Sequence, residues 1–91
     1  MYFALRYDYV PDVLERRTPH RPGHVALANE FHAAGKMLLG GAFDPASTGA
    51  LFIFKVDSIA EVESFVKRDP YVANGVVTGH RIHPWTVVIG A

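Results

Sequence analysis

Apolar and polar side chains alternate along the start of the chain, MYFALRYDY. Every second position from Phe3 to Tyr9 carries a large apolar or aromatic side chain, which is the period of a β-strand with one buried face. We therefore predict a first strand over Tyr2–Tyr9, which Pro11 ends.

The period then becomes helical. Asp12–Arg17 is predicted to be a short helix, and the two prolines in Thr18–Pro22 interrupt it. Beyond them, His24 and Phe31 share one apolar face of a second helix. Gly35 is suited to end this helix in the left-handed conformation that glycine adopts without strain.

Two more strands, a third helix and a last extended segment follow. Lys36–Phe43 and Ala50–Val56 are predicted strands on either side of a turn rich in Pro, Ser and Gly. Ser58 and Glu61 form a capping-box pattern, which predicts the start of the third helix. The last extended segment is predicted over Val76–Ile89, with a break near Pro84.

This order of elements predicts an α+β fold, with a ferredoxin-like antiparallel sheet and helices on one face. The second and third strands, MLLGGAF and LFIFKV, are apolar on both faces. Because two helices can cover only one face of the sheet, we expect a second copy of the chain to cover the other. The predicted assembly is a homodimer or a higher even oligomer. Loops and the C-terminal tail are the alternative cover.

The composition excludes several classes of partner and of chemistry. The 91 residues are enough for a single domain, residues 1–91, and their nine basic and nine acidic side chains create no basic field for nucleic acid or a membrane surface. The absence of cysteine excludes disulfides and a thiolate nucleophile. The N-terminus is not a signal peptide and the longest apolar run is too short to cross a bilayer, so we expect a cytoplasmic protein.

Two side chains are candidates for chemistry. His24 lies on the apolar face of its helix, as a core histidine would, but histidine is also the side chain best suited to move protons near neutral pH. Asp69 precedes Pro70, and this position explains it fully as the cap of a turn. A carboxylate beside a histidine would also fix which ring nitrogen holds the proton. The sequence alone does not show that the two side chains meet.

Other kinds of site find little support. His20 and His24 have a metal-ligand spacing, but Pro22 separates them, so we predict no metal. Gly40-Gly41 lacks the context of a nucleotide-binding loop and more simply marks a close approach of a ligand or another backbone. Ser58 is taken up as a cap. We predict no cofactor.

The chain resembles the YciI-like (YCII-related) proteins over nearly its whole length. The resemblance rests on an Arg-x-x-His motif, on an Asp-Pro-Tyr motif, and on four glycines and one serine at matching positions along the chain. These residues are Arg21, His24, Gly35, Gly41, Gly49, Ser58, Asp69, Pro70, Tyr71 and Gly75.

The resemblance implies a dimeric α+β barrel with an active site of His24 and Asp69. One relative in this family is a dehydrochlorinase of a chlorinated hydroxylated aromatic, and similar barrels include muconolactone isomerase. We therefore expect a small cofactor-independent lyase or isomerase that transfers a proton on an aromatic or lactone-like substrate. The alternative is a non-catalytic ligand-binding or accessory module, so whether the chain is an enzyme stays open. The expected substrate-binding residues are Tyr7, Arg21, Gly41, Phe43 and Tyr71.

Overall fold

Four antiparallel strands form one sheet in the order β2-β3-β1-β4. The computed structural model describes residues 1–45 and 47–90. Along the chain its elements are β1 (Tyr2–Tyr9), α1 (Val13–Arg16), a 3-10 turn (Thr18–His20), α2 (Arg21–Ala33), β2 (Met37–Ala42), β3 (Gly49–Lys55), α3 (Ile59–Arg68), α4 (Pro70–Ala73) and β4 (Val77–Trp85). This order and topology confirm the predicted α+β ferredoxin-like fold.

Strand β1 carries the alternation from which it was predicted. Phe3 and Leu5 point to the inner face, where they pair with Phe54 and Phe52 of β3. On the other side of β1, Leu5 pairs with Ile82 of β4. The central strands therefore build one continuous apolar surface.

Helices α2 and α3 cover this inner face. Phe65 of α3 is fully buried and packs against the rings of Phe31, Phe52 and Phe54, with ring centroids 5.3 to 5.5 Å apart. Such tilted and edge-on aromatic pairs stabilise a core beyond their area burial. The helix face that carries Phe31 also carries His24, so the core sets the orientation of this histidine.

Two helix ends were predicted from the sequence, one at Gly35 and one at the Ser58–Glu61 capping box. Gly35 has φ +75°, and the N–H of Lys36 bonds to the carbonyl of Phe31, as expected for a glycine-ended helix. The predicted capping box is wrong: the side chain of Ser58 makes no cap hydrogen bond, and Glu61 accepts instead from the N–H of Asp57 at 3.1 Å. The carboxylate therefore reaches one residue further back than a capping box requires.

The outer face of the sheet has no helix on it among the described residues. Leu39 is 69% exposed there, and Trp85, at the end of β4, is 46% exposed. Strand β4 ends at Trp85, next to the break predicted near Pro84, so the strand covers only the first part of the predicted extended segment. Within the described part of the chain, no helix has the length and apolarity needed to cross a membrane.

Candidate active site

The Asp69-Pro70 step places a carboxylate in the interior of the protein. Helix α3 ends at Arg68, and Asp69 adopts extended backbone angles of φ −74° and ψ 119°. This follows from Pro70, which disfavours the helical conformation in the residue before it. One carboxylate oxygen, Oδ1, accepts from the N–H of Tyr71 at 3.0 Å and so caps α4. The predicted capping role of Asp69 is confirmed.

The same carboxylate meets His24. The Nδ1 atom of His24 lies 2.9 Å from Oδ1 and 3.0 Å from Oδ2 of Asp69, across 45 positions of sequence. An ionised carboxylate can only accept, so Nδ1 carries the proton in this pair. The second ring nitrogen, Nε2, has no hydrogen bond to the described residues, and the side chain of His24 is 10% exposed. Nε2 is therefore the ring nitrogen available to accept a proton.

Tyr7 completes the surroundings of Asp69. Its hydroxyl donates to Oδ2 at 2.7 Å, and both side chains are buried. Burial raises the pKa of Tyr7 well above its usual range, and the nearby charge of Asp69 raises this pKa further. Tyr7 therefore remains a donor over the whole physiological range. Asp69 is fully buried and accepts from Tyr7, His24 and the backbone of Tyr71, which compensates its loss of water.

Aromatic rings hold the imidazole in place. The ring of Tyr71 stacks on His24 with centroids 3.9 Å apart and planes 3° from parallel. Phe52 and Phe65 approach the same imidazole more edge-on, at 5.9 and 6.4 Å. The hydrogen bond to Asp69 and this packing together leave the ring one orientation.

His24 opens into a cleft of about 610 Å³ between α2 and β2. This volume is typical of a small-molecule site. Of the residues expected to bind substrate, Arg21, Gly41 and Tyr71 line the cleft. Gly40 lies beside Gly41, and a side chain there would meet the ring of Phe52, so the backbone of β2 forms part of the wall.

Two residues that we expected to bind substrate lie elsewhere. Tyr7 is 1% exposed and lies behind Asp69, because it points inward from the central strand β1. Phe43 follows β2 and packs over Gly49 and near the guanidinium of Arg6, on the outer face of the sheet. Neither side chain therefore lines the cleft.

Five further polar side chains of the cleft were not expected from the sequence. These are Tyr9, Arg17, Asn29, His32 and Ser47. On α2, Asn29 lies four residues after Val25, which lies four after Arg21, and His32 lies three residues beyond Asn29. This spacing from Arg21 marks one helix face and could have identified both side chains. Arg17 lies at the end of the predicted helix Asp12–Arg17, where a basic side chain is expected for its interaction with the helix dipole. Among the described residues, no group of three or more His, Cys, Asp or Glu is placed to hold a metal ion.

The fold and this site define a class: a ferredoxin-like domain whose helical layer presents a buried His–Asp pair to a cleft. The profile of the YCII-related domain matches residues 1–86. The chain belongs to the YCII-related family.

Two curated relatives are similar along almost the whole chain. Protein YciI of Escherichia coli O6:H1 and Protein YciI of Shigella flexneri are each 31% identical to it, with 97% of this chain and 99% of the relative covered.

Solved structures show the same fold. The 5-chloro-2-hydroxyhydroquinone dehydrochlorinase TftG from Burkholderia phenoliruptrix AC1100, solved in complex with 2,5-dihydroxybenzoquinone, matches with a TM-score of 0.79 and 26% identity, covering 94% of each chain. Protein Atu4242 from Agrobacterium tumefaciens matches with a TM-score of 0.55 and 9% identity, covering 91% of this chain and 89% of that one. This second likeness concerns the fold alone.

Proposed function

We propose that the protein is a small cofactor-independent enzyme of the lyase or isomerase type, in which His24 transfers a proton on a small aromatic or lactone-like substrate. The observation that carries this proposal is the bond from Nδ1 of His24 to the buried Asp69, beside an open cleft. A proton-transfer reaction needs a positioned base and a substrate site, and this arrangement supplies both.

The roles follow from the hydrogen bonds. Asp69 accepts a hydrogen bond from Nδ1–H, so the lone pair of His24 lies on Nε2, the ring nitrogen that does not contact Asp69. As Nε2 takes a proton from the substrate, the imidazole becomes cationic, and the carboxylate of Asp69 stabilises that charge. The protonated ring can then return the proton to another substrate atom, which is an isomerisation, or the substrate can lose a leaving group.

The proposed substrate class draws on the solved relative. TftG acts on a hydroxylated chloroaromatic compound. The cleft in this chain has aromatic side chains from three elements, Tyr9, Phe52 and Tyr71, which suit a flat ring. We extend the aromatic substrate class to this protein on these two grounds.

One observation favours a second function, a non-catalytic ligand-binding module. Asp69 is 0% exposed, and its capping bond to Tyr71 together with the bond from Tyr7 explains its presence without any reaction. In that case the cleft would bind a small molecule and release it unchanged.

Chloride release from 5-chloro-2-hydroxyhydroquinone distinguishes these functions. The enzyme hypothesis predicts turnover by the wild type and a loss of about 100-fold or more in His24→Gln, the usual contribution of a general base. His80→Gln, at an exposed position of β4 outside the cleft, is the matched control. Binding of this compound without chloride release favours the module. Absence of both binding and turnover would contradict the proposed substrate class.

We also propose that a second copy covers the outer face of the sheet. Leu39 and Trp85 are exposed there, and Ile53 of β3 pairs with Leu39. A protein of this size gains stability from such an interface. Sedimentation velocity at micromolar concentration is expected to give twice the mass of the chain, and a monomer would contradict this assembly.

A further inference from the structure

The cleft is positively charged on one side. Of the described residues that line it, Arg17, Arg21, His24 and His32 can carry positive charge, and none is acidic. The chain as a whole has no net charge. This concentration of cationic groups in one cleft therefore differs from the average surface of the protein.

The two arginines have no acidic partner within the described part of the chain. The ion pairs found there join His24 to Asp69, Lys36 to Glu61, and Arg68 to Glu30. Arg17 is half-buried in spite of its charge. Arg21 begins helix α2, whose N-terminus receives no side-chain cap. The positive end of the helix dipole therefore adds to the charge of the two guanidinium groups.

Two tyrosines that line the cleft have hydroxyls without a hydrogen-bond partner among the described residues. The hydroxyl of Tyr71 is buried and has no hydrogen-bond partner among the described residues, although the ring lines the cleft and stacks on His24. Tyr9 also lines the cleft, and its hydroxyl makes no hydrogen bond to them. Burial raises the pKa of Tyr9, the neighbouring Tyr71 and Asp69 raise it further, and the charges of Arg17 and Arg21 lower it by a smaller amount, so the phenol is protonated near neutral pH.

From this arrangement we propose that the cleft binds a small organic anion such as a carboxylate, with its anionic oxygens at Arg17 and Arg21 and the rest of the molecule toward His24 and Tyr71. Arginine is the residue best suited to bind a carboxylate, because its fork of N–H groups matches both oxygens. This proposal rests on the proposed function, since it names the substrate class of the same cleft. It makes Arg17 a specificity-determining residue.

A pair of nearly isosteric probes tests the charge requirement. Benzoate and benzamide are titrated separately into the full chain, and the amide signals of Gly40 and Gly41 report binding in the cleft by NMR. We expect benzoate to bind at least about tenfold more tightly than benzamide, the effect of one charge-assisted hydrogen bond. Equal binding of the two probes, or no benzoate binding at about 50 mM, would overturn the proposal.

Two arginine variants locate the charge. Arg17→Gln is expected to weaken benzoate binding by about tenfold and to leave benzamide binding unchanged. Arg16→Gln removes the same charge from the neighbouring exposed position, outside the cleft, and is expected to have little effect. An equal loss in both variants would show a general charge effect and overturn the role of Arg17. Well-dispersed amide spectra establish that both variants are folded.

The measurement is separate from catalysis. Neither probe has to react, so the difference between benzoate and benzamide binding is measured without any contribution from the proposed base. Selective benzoate binding without any turnover leaves this proposal standing and contradicts only the enzymatic function. Turnover with no preference for benzoate over benzamide contradicts only the anion site.

Discussion

Replacing Tyr7 by phenylalanine removes one buried O–H group and keeps the shape of the side chain. In the wild type this hydroxyl donates to Asp69 Oδ2 at 2.7 Å. A hydrogen bond to a charged group contributes about 1.5 to 3 kcal/mol, and here the carboxylate has no water to replace the lost donor. We therefore expect Tyr7→Phe to lower the free energy of unfolding by about 2 kcal/mol.

Thermal unfolding followed by circular dichroism measures this loss. For a domain of this size, each kcal/mol corresponds to about 4 to 8 °C, so we expect Tm to fall by roughly 10 °C. Tyr2→Phe is the matched control, since it removes a hydroxyl from the same strand on its outer face. The two variants are compared at one protein concentration, because an oligomer would make Tm depend on it.

Equal Tm values for the two variants would refute the reasoning. They would mean that Asp69 is adequately satisfied by His24 and the Tyr71 backbone alone, and that Tyr7 contributes only its ring to the core.

Two further predictions concern the stability of the fold at alkaline pH and the packing around two glycines. Because Tyr7 keeps its proton in the folded protein and releases it near its ordinary pKa of 10.0 when unfolded, its contribution is present below pH 10 and is lost as pH rises above that value. Urea titrations should show the free energy of unfolding falling with pH there, with a slope that is shallower in Tyr7→Phe by about 1.4 kcal/mol per pH unit; equal slopes would contradict this. A side chain at Gly49 would collide with the carbonyl oxygen of Tyr7, whereas one at Gly41 meets nothing within 4 Å. Gly49→Ala should therefore cost about 1 to 3 kcal/mol by the same assay and Gly41→Ala much less, and a similar cost for both would argue against this strand pairing.

Local signals in the sequence predicted a large part of the site. The alternation around Tyr7 and the helical spacing of His24 indicated which way each side chain points, because periodicity reflects the buried face directly. The Asp-Pro step likewise predicted the cap at Asp69, because its chemistry involves only the next few residues.

Long-range geometry was not predictable in this way. The residues alone left open whether His24 and Asp69 meet, and the family resemblance implied the pair. Tyr7 was expected to line a pocket. Its actual role was not predictable, because the identity of a tyrosine does not indicate which distant polar group will accept a hydrogen bond from its hydroxyl. Arg17 was overlooked since a basic residue at a helix end already has a sufficient local explanation.

The proposed mechanism depends most on which ring nitrogen of His24 carries the proton. A long-range proton–nitrogen NMR spectrum at alkaline pH, where imidazole is neutral, shows directly which ring nitrogen holds the proton. We predict a proton on Nδ1 in the wild type, because Asp69 accepts there. In Asp69→Asn, the amide group can donate to Nδ1, so the proton should move to Nε2. A wild-type ring protonated on Nε2, or no change in the variant, would contradict the assignment of Nε2 as the base.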